Sequence, residues 1–201
     1  MAPRFVMPSP VSAVCVFCGS RFGGDPAYAE AADALGSGLA AAGMRLVYGG
    51  GRVGLMGRVA DAALAAGANV TGIIPEFLRA REVAHGNVGE LVVTDSMHSR
   101  KRRMFEMSDA FVTMPGGLGT LDEFFEIVTW RQLGLHNKPI LVCDIAGWAR
   151  TVAGLVAAVV GAGFADGASL DLFEVLPDVP AVLRRLAGAE VPTPAAPAAR
   201  L

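Results

Sequence analysis

The segment Pro115–Glu123 combines a turn that could bind an anion with a carboxylate that could act in catalysis. It reads Pro-Gly-Gly-Leu-Gly-Thr-Leu-Asp-Glu, follows the apolar run 111–114, and opens a helical stretch that ends near Gly134. A strand that turns at proline and glycine into a helix leaves N–H groups of the first helical turn unpaired, and the helix dipole favours negative charge there. We therefore predict a phosphate-binding turn, with Glu123 in the first turn of the helix as a catalytic carboxylate.

A second carboxylate, Glu126, follows three residues later and shares a helix face with Glu123. An ordinary amphipathic helix could carry both side chains as solvent-facing charges. The position of Glu123, directly after the glycine-rich turn, favours a functional role over that interpretation.

Residues 97–103 place four positive charges at the start of a predicted helix, namely Arg100, Lys101, Arg102 and Arg103. Cations are unfavourable at a helix N-terminus because of the macrodipole. An anionic partner therefore explains the cluster better than a solvated face does; it could be a ligand, a carboxylate or another subunit. We predict a functional role for at least one of these arginines.

The loop 49–57 is a second glycine-rich segment, in which Gly49, Gly51 and Gly54 spell G-x-G-x-x-G between a strand and a helix. Glu76 lies where a ribose-binding acid would stand in a dinucleotide fold. However, these glycines follow the second predicted strand, and Glu76 lies behind a proline in an irregular loop. We favour a loop that faces a phosphate or nucleotide, ahead of close helix packing and of dinucleotide binding.

The sequence Cys15-Val16-Phe17-Cys18 spells C-x-x-C, but it lies within and at the end of a predicted buried strand. A redox pair needs its first cysteine at a helix N-terminus, where the thiolate is stabilised. We therefore predict structural cysteines. The three histidines show no metal-ligand spacing, so no metal site is expected.

The elements that position these groups are short apolar runs that alternate with helical stretches. The predicted strands are 11–17, 45–48, 69–74, 91–94, 111–114, 140–143 and 172–175. The predicted helices begin at 26, after 57, at 97 (capped by Asp95 or Ser96), after 120, at 148 and at 179. This alternation predicts an α/β, Rossmann-like, doubly wound and mainly parallel sheet of about seven strands with helices on both faces.

Both glycine-rich loops follow predicted strands, and ligands bind at the carboxyl ends of strands in such sheets. The predicted organisation is a flexible arm at 1–10, one nucleotide-binding catalytic domain at 11–187, and a disordered Ala/Pro-rich tail at 188–201.

Composition narrows the functional classes. The 201 residues carry a net charge of −2, which gives no electrostatic basis for nucleic-acid binding. No apolar stretch is long enough to cross a bilayer, and prolines interrupt the N-terminal segment where a signal peptide would be apolar. Three cysteines, an odd number, argue against a disulfide framework. We expect a soluble, cytoplasmic protein that binds neither membrane nor nucleic acid.

Five segments together resemble one family. They are Tyr48–Gly51, Gly54–Gly57, Met97–Lys101, Pro115–Glu123 and Thr129–Pro139. The chain is similar over roughly residues 11–187 to the Lonely Guy (LOG) family of cytokinin riboside 5′-monophosphate phosphoribohydrolases. The resemblance implies hydrolysis of the N-glycosidic bond of AMP or an N6-prenylated AMP, without a cofactor, by a homodimer or a higher oligomer.

The resemblance also implies roles for individual residues. Arg100 and Glu123 match the essential pair of the family. Gly116, Gly117, Gly119 and Thr120 match its phosphate loop. Ser20, Glu82 and Met97 match positions that line the nucleotide pocket, and the further substrate-binding candidates are Gly50, Gly51, Lys101 and Glu126.

The implied reaction builds positive charge on the ribose, in an oxocarbenium-like transition state that a nearby carboxylate stabilises. Glu123 is the candidate for that carboxylate. An arginine holds its proton too tightly to act as an acid, so Arg100 is expected to position ribose, phosphate or Glu123.

Three other functions compete with this one. A nucleotide or molybdenum-cofactor carrier on the same fold would bind without cleaving, and would not need a carboxylate at the sugar. An NAD-dependent oxidoreductase is disfavoured by the position of the glycine motif. Family members have also been labelled lysine decarboxylases, but Lys101 and Lys138 are the only lysines, and neither lies in an obvious pyridoxal phosphate site.

Overall fold

In the part of the chain that the structure describes, the central sheet contains seven parallel strands. The computed structural model describes residues 9–79, 86 and 88–191. The strands are β1 Ser9–Pro10, β2 Ala13–Phe17, β3 Arg45–Tyr48, β4 Val70–Pro75, β5 Glu90–Thr94, β6 Ala110–Thr113, β7 Ile140–Cys143, β8 Glu174–Leu176 and β9 Glu190–Val191. The main sheet has the order β5-β4-β3-β2-β6-β7-β8, and each neighbouring pair is parallel. The predicted Rossmann-like sheet is therefore confirmed.

Six α-helices cover this sheet within the described residues. They are α1 Ala27–Ala41, α2 Gly54–Ala65, α3 Met97–Glu106, α4 Leu118–Gln132, α5 Trp148–Gly161 and α6 Val179–Ala187, with short 3₁₀ turns at Glu76–Leu78 and Gly167–Asp171.

Strand β2 packs against helices on both faces of the sheet. Val14 and Val16 pack into one buried cluster with residues of α1, α2 and α6. Cys15 and Phe17 point the other way, into a cluster with residues of α3, α4 and α5. A strand that is buried on both faces is apolar at every position, as the sequence predicted for this run.

The start of two helices sets the geometry of the site. Ser96 caps α3, and its side chain and that of Ser99 bond reciprocally to each other's backbone N–H groups. Helix α4 begins at Leu118, earlier than predicted, so Gly119 and Thr120 at the end of the glycine-rich segment are part of the helix. Glu123 therefore lies in the second turn of α4, and the prediction that it lies in the first turn is wrong.

The two ends of the described chain meet in a small antiparallel ladder. Ser9 pairs with Val191, and Pro10 pairs with Glu190. These residues belong to the segments that the sequence analysis assigned to a flexible arm and a disordered tail. The remainder of those segments, 1–8 and 192–201, lies outside the described residues.

Candidate active site

The loops after β2 and β6 and the start of α2 meet at Gly19, at the point where the strand order reverses between β2 and β6. The N–H of Gly19 donates to the carbonyl of Pro115 at 3.0 Å, and its own carbonyl accepts from Leu55 and Met56 at 2.9 and 3.3 Å. A cavity of about 680 Å³ opens above this junction. The site therefore lies at the carboxyl edge of the sheet at a topological switch point, where open α/β sheets bind ligands.

The three glycines of the segment after β6 do not share the same surroundings. A Cβ atom on Gly116 would lie 2.1 Å from Oγ1 of Thr120 and 2.9 Å from the nitrogen of Gly19, so close packing requires glycine there. A Cβ atom on Gly117 or Gly119 would meet nothing within 4 Å. No side chain caps the N-terminus of α4, which begins after Gly117. The turn therefore presents the positive end of a helix to the cavity.

Arg100 of α3 is buried beneath this cavity, with only 4% of its surface exposed. Its Nε donates to the carbonyl of Ile73 at 3.0 Å, and its Nη2 donates to the carbonyl of Gly49 at 2.9 Å. Ile73 lies in β4, and Gly49 directly follows β3. The guanidinium is therefore held by backbone atoms, which fix its orientation, and a buried charge of this kind needs such partners.

Glu123 faces Arg100 across the cavity floor. Its Oε1 lies 3.9 Å from Nη1 of Arg100, and the glutamate is 9% exposed. This separation is longer than that of a charge-assisted hydrogen bond, so the two atoms form an ion pair without a direct hydrogen bond between them. A buried carboxylate beside a helix N-terminus can stabilise a positive charge that develops on a bound molecule.

Eight of the predicted site residues line the cavity: Ser20, Met97, Arg100, Gly116, Gly117, Gly119, Thr120 and Glu123. Two further candidates, Gly50 and Gly51, are buried in the loop after β3 and are not among the lining residues. Gly50 has a φ of +77°, and a Cβ atom there would lie 3.1 Å from the nitrogen of Ile73. Glycine is required at position 50 because the backbone there packs closely against β4. Glu82 lies outside the described residues.

Lys101 and Glu126 also lie away from the cavity lining. The ammonium of Lys101 is 3.1 Å from Oε2 of Glu126 and 3.1 Å from Oδ2 of Asp122. The two candidates therefore contact each other.

The cavity also has walls formed by residues that were not among the site residues predicted from the sequence. They are formed by Cys18, Arg21, Phe22, Tyr28, Leu55, Met56, Leu78 and Trp148, among others. Most of them lie in loops or helix starts that directly follow the strands β2, β3, β4 and β7. Their position directly after strands could have identified them as candidates. The sequence does not show which of these side chains face the cavity, because that depends on the loop conformation.

The cysteines behave as structural residues. Cys15 and Cys18 are buried free thiols that belong to opposite faces of the sheet. Burial raises the pKa of both thiols above its ordinary value, and the negative charge of Glu123 raises it further. These thiols are held in the protonated, unreactive form.

A second buried polar group supports the packing of α4. His136 is 8% exposed; its Nε2 lies 2.9 Å from the carbonyl of Ile127, and its Nδ1 accepts from the N–H of Lys138 at 3.1 Å. Burial lowers the pKa of this histidine, and the nearby charge of Lys138 lowers it further, although the bond to Ile127 acts in the opposite direction. The imidazole is therefore neutral, with its proton on Nε2.

The part of the chain that the structure describes contains neither a metal site nor a membrane-spanning helix. Within the described ranges, no three His, Cys, Asp or Glu side chains cluster as metal ligands would. No helix in the same part of the chain has the length and apolarity needed to cross a bilayer.

Comparison with known proteins gives one consistent set of sequence relatives. A family model described as "possible lysine decarboxylase" matches residues 56–186. A probable cytokinin riboside 5′-monophosphate phosphoribohydrolase of Oryza sativa subsp. japonica is 44% identical over 173 residues, which cover 86% of this chain and 76% of the relative. Cytokinin riboside 5′-monophosphate phosphoribohydrolases of Arabidopsis thaliana (38% identical; 86% and 81% covered) and Rhodococcoides fascians (50% identical; 68% and 69% covered) are also similar.

Solved structures with a similar fold are more distant in sequence. The molybdenum cofactor carrier protein of Chlamydomonas reinhardtii aligns with a TM-score of 0.65 at 20% identity, over 89% of this chain and 96% of that one. The molybdenum cofactor binding protein of Rippkaea orientalis aligns with a TM-score of 0.63, also at 20% identity, over 90% and 97%. At this identity the likeness shows a shared fold.

Proposed function

The chain belongs to the Lonely Guy family of cytokinin riboside 5′-monophosphate phosphoribohydrolases, and we propose that it hydrolyses the N-glycosidic bond of AMP or of an N6-prenylated AMP. The products would be the free base and ribose 5-phosphate. The observation that carries this proposal is the buried pair of Arg100 and Glu123, in the same cavity as the open glycine turn.

The 5′-phosphate would bind at the N-terminus of α4. Gly117 and Gly119 have open space where a Cβ atom would stand, so an anion can approach the backbone N–H groups closely. The helix dipole favours the negative charge at this end. Thr120 is buried against Gly116 and would orient the turn. The phosphate thereby fixes the nucleotide with the ribose toward the second turn of α4.

Glu123 would act on the ribose. Loss of the base leaves positive charge on the anomeric carbon and ring oxygen, and a carboxylate on the cavity floor stabilises that charge. Water then adds to the anomeric carbon, directly or after attack by the carboxylate. The base leaves with the bonding electron pair and gains one proton, and the water that adds to the sugar loses one. The surrounding low-dielectric walls strengthen the interaction, because the carboxylate is only 9% exposed.

Arg100 would position Glu123. Two of its nitrogens donate to the carbonyls of Ile73 and Gly49, and the third faces the glutamate. Its charge compensates the buried carboxylate, and the two backbone carbonyls hold that charge at a fixed place beside it. Because a guanidinium does not release its proton, this role is one of orientation and charge.

The base would lie against apolar walls. Met56, Leu78, Met97, Phe22 and Trp148 contribute to the cavity lining. A purine with an apolar N6 substituent is a flat, largely hydrophobic group, and the cavity volume of about 680 Å³ lies in the range that holds such a nucleotide.

The lysine decarboxylase label of the family model does not fit this chain. A pyridoxal phosphate enzyme needs a lysine for its Schiff base, and Lys101 and Lys138 are the only two in the sequence. Lys101 is held between two carboxylates. The ammonium of Lys138 donates to the carbonyl of Phe105 at 2.8 Å and lies 4.0 Å from the centre of its ring. Neither lysine lines the cavity.

We also propose that the protein works as a homodimer or a higher oligomer in the cytoplasm. The oligomer is an implication of the family resemblance. The location is supported by the three cysteines, which are all buried free thiols, as a reducing compartment favours.

One assay tests the proposed function. The protein is incubated with AMP and with N6-isopentenyl-AMP, and the mixture is chromatographed for free base and ribose 5-phosphate. Equal release of both products supports the proposal. Intact substrate after incubation with folded protein that binds AMP would overturn it, and would favour the carrier function instead.

A further inference from the structure

Helices α3 and α4 are joined by a second ionic contact next to the proposed catalytic pair. The ammonium of Lys101 lies 3.1 Å from Oδ2 of Asp122 and 3.1 Å from Oε2 of Glu126. The lysine side chain is only 16% exposed, and that of Glu126 is 20% exposed. Burial alone would lower the pKa of Lys101, but the hydrogen bonds to the two carboxylates outweigh it and raise the pKa. The contact therefore joins charged partners.

The two contacts involve neighbouring residues on each helix. Arg100 and Lys101 are consecutive on α3, so their side chains leave the helix about 100° apart. Arg100 reaches Glu123 on the buried side. Lys101 reaches Asp122 and Glu126, which are one turn apart on α4 and lie on either side of Glu123 in the sequence. One lysine thus spans the turn of α4 that carries the proposed catalytic carboxylate.

We propose that Lys101 is a positioning residue that holds the second and third turns of α4 against α3 and thereby sets the separation of Arg100 and Glu123. This inference rests on the proposed function. The positioning role differs from direct substrate binding, which we predicted from the sequence for Lys101 and Glu126. A substrate-binding lysine would present its ammonium to the cavity, whereas this one contacts two carboxylates away from the cavity lining.

The geometry explains why such a contact would matter for turnover. Arg100 is anchored by the carbonyls of Ile73 in β4 and of Gly49 directly after β3, so it cannot follow α4 if that helix shifts. Glu123 belongs to α4, and the glycine turn leads directly into the start of that helix, so the two would move together. A displacement of about 1 Å in a catalytic group can reduce the rate by about 100-fold.

The test compares Lys101→Met, Lys101→Arg and Glu126→Gln with the control Arg102→Met. Arg102 is on the same helix, but it pairs with Glu106 of α3 itself and is 70% exposed. We expect Lys101→Met to lower kcat for AMP by about 10- to 100-fold with KM changed by less than about threefold. Lys101→Arg should restore most of kcat, Glu126→Gln should lose less than Lys101→Met, and Arg102→Met should match the wild type.

Three kinetic results would overturn the inference. They are wild-type kcat in Lys101→Met, a loss that appears in KM alone, or no recovery with Lys101→Arg. The last two results would indicate instead that Lys101 binds the substrate directly.

A measurement without substrate separates this inference from the proposed function. Hydrogen–deuterium exchange in the second and third turns of α4 should be faster in Lys101→Met than in Arg102→Met and the wild type. Unchanged exchange in a folded Lys101→Met protein would overturn the positioning role. If the wild type itself releases no base, the proposed function fails, and the exchange experiment still decides whether Lys101 holds α4.

Discussion

Gly49 lies directly against the guanidinium of Arg100. Its carbonyl accepts from Nη2 at 2.9 Å, and a Cβ atom at position 49 would stand 2.2 Å from Arg100 Nη2. The glycine loop after β3 and the arginine cluster of α3 are therefore parts of one arrangement. The first glycine of the G-x-G-x-x-G pattern makes room for a buried arginine. This packing explains the glycine at position 49 without requiring a bound dinucleotide.

Replacing Gly49 with alanine should displace Arg100 and lower activity. The Cβ atom forces the guanidinium away from its carbonyl acceptors and from Glu123, so we expect kcat to fall by about 10- to 100-fold. We also expect the free energy of unfolding to fall by about 1–3 kcal/mol, because a buried charged group loses a hydrogen bond. Steady-state kinetics and urea denaturation measure the two effects.

The matched control for that substitution is Gly154→Ala, on the exposed face of α5, where a Cβ atom meets nothing within 4 Å. It should leave kcat unchanged and stabilise the helix by about 0.5–1 kcal/mol. Equal kinetics in Gly49→Ala and Gly154→Ala would contradict the importance of this contact.

Replacing Glu123 with glutamine should abolish base release and leave AMP binding within a few-fold of the wild type. The amide keeps the shape of the side chain but cannot stabilise the positive charge on the ribose, so we expect a loss on the order of 1,000-fold in kcat. Product chromatography and calorimetric titration with AMP give the two values. The control is Glu30→Gln on exposed Glu30 of α1. Normal turnover by Glu123→Gln would exclude the proposed role.

Adenosine should be a much poorer substrate than AMP. Removing the phosphate discards interactions with the N-terminus of α4 that lie away from the bond that breaks, so turnover should fall as well as affinity. If two charge-assisted hydrogen bonds of about 1.5 kcal/mol each are lost, kcat/KM falls by on the order of 100-fold. Parallel progress curves with the two compounds provide the comparison, and equal kcat/KM values would contradict a phosphate site at this turn.

Stability should fall as the pH drops below about 6.5, the ordinary histidine pKa, partly because of His136. Burial lowers the pKa of His136 in the folded protein, so the unfolded chain binds the extra proton first. The stabilisation is thus present above the unfolded pKa and is lost as the pH falls toward the folded pKa. Urea denaturation at pH 7.5 and 5.5 measures the loss for the wild type and for His136→Gln. A loss of the same size in both proteins would show that His136 does not contribute.

Much of the fold could be predicted because it is encoded locally. The strands Arg45–Tyr48 and Ile140–Cys143 were predicted with their observed bounds, since buried apolar runs between turn residues leave few alternatives. The ladder between Ser9–Pro10 and Glu190–Val191 was not predicted, because two-residue strands carry no periodic pattern. We predicted that α4 begins after Thr120, whereas it begins at Leu118. The residues of a glycine-rich turn can be helical or extended with equal ease, so the sequence does not fix the first helical residue.

The sequence by itself determined the α/β alternation, the two glycine-rich turns and the residues Arg100 and Glu123 as candidates. These follow from the order of residue types along the chain. Only the tertiary structure decided which candidates meet: Arg100 bonds to a carbonyl 51 positions away, and Lys101 contacts Glu126 and Asp122 instead of the cavity. The physical reason is that such contacts depend on how helices pack on a twisted sheet. A rotation of about 100° per helical residue separates a side chain in the cavity from one beside it.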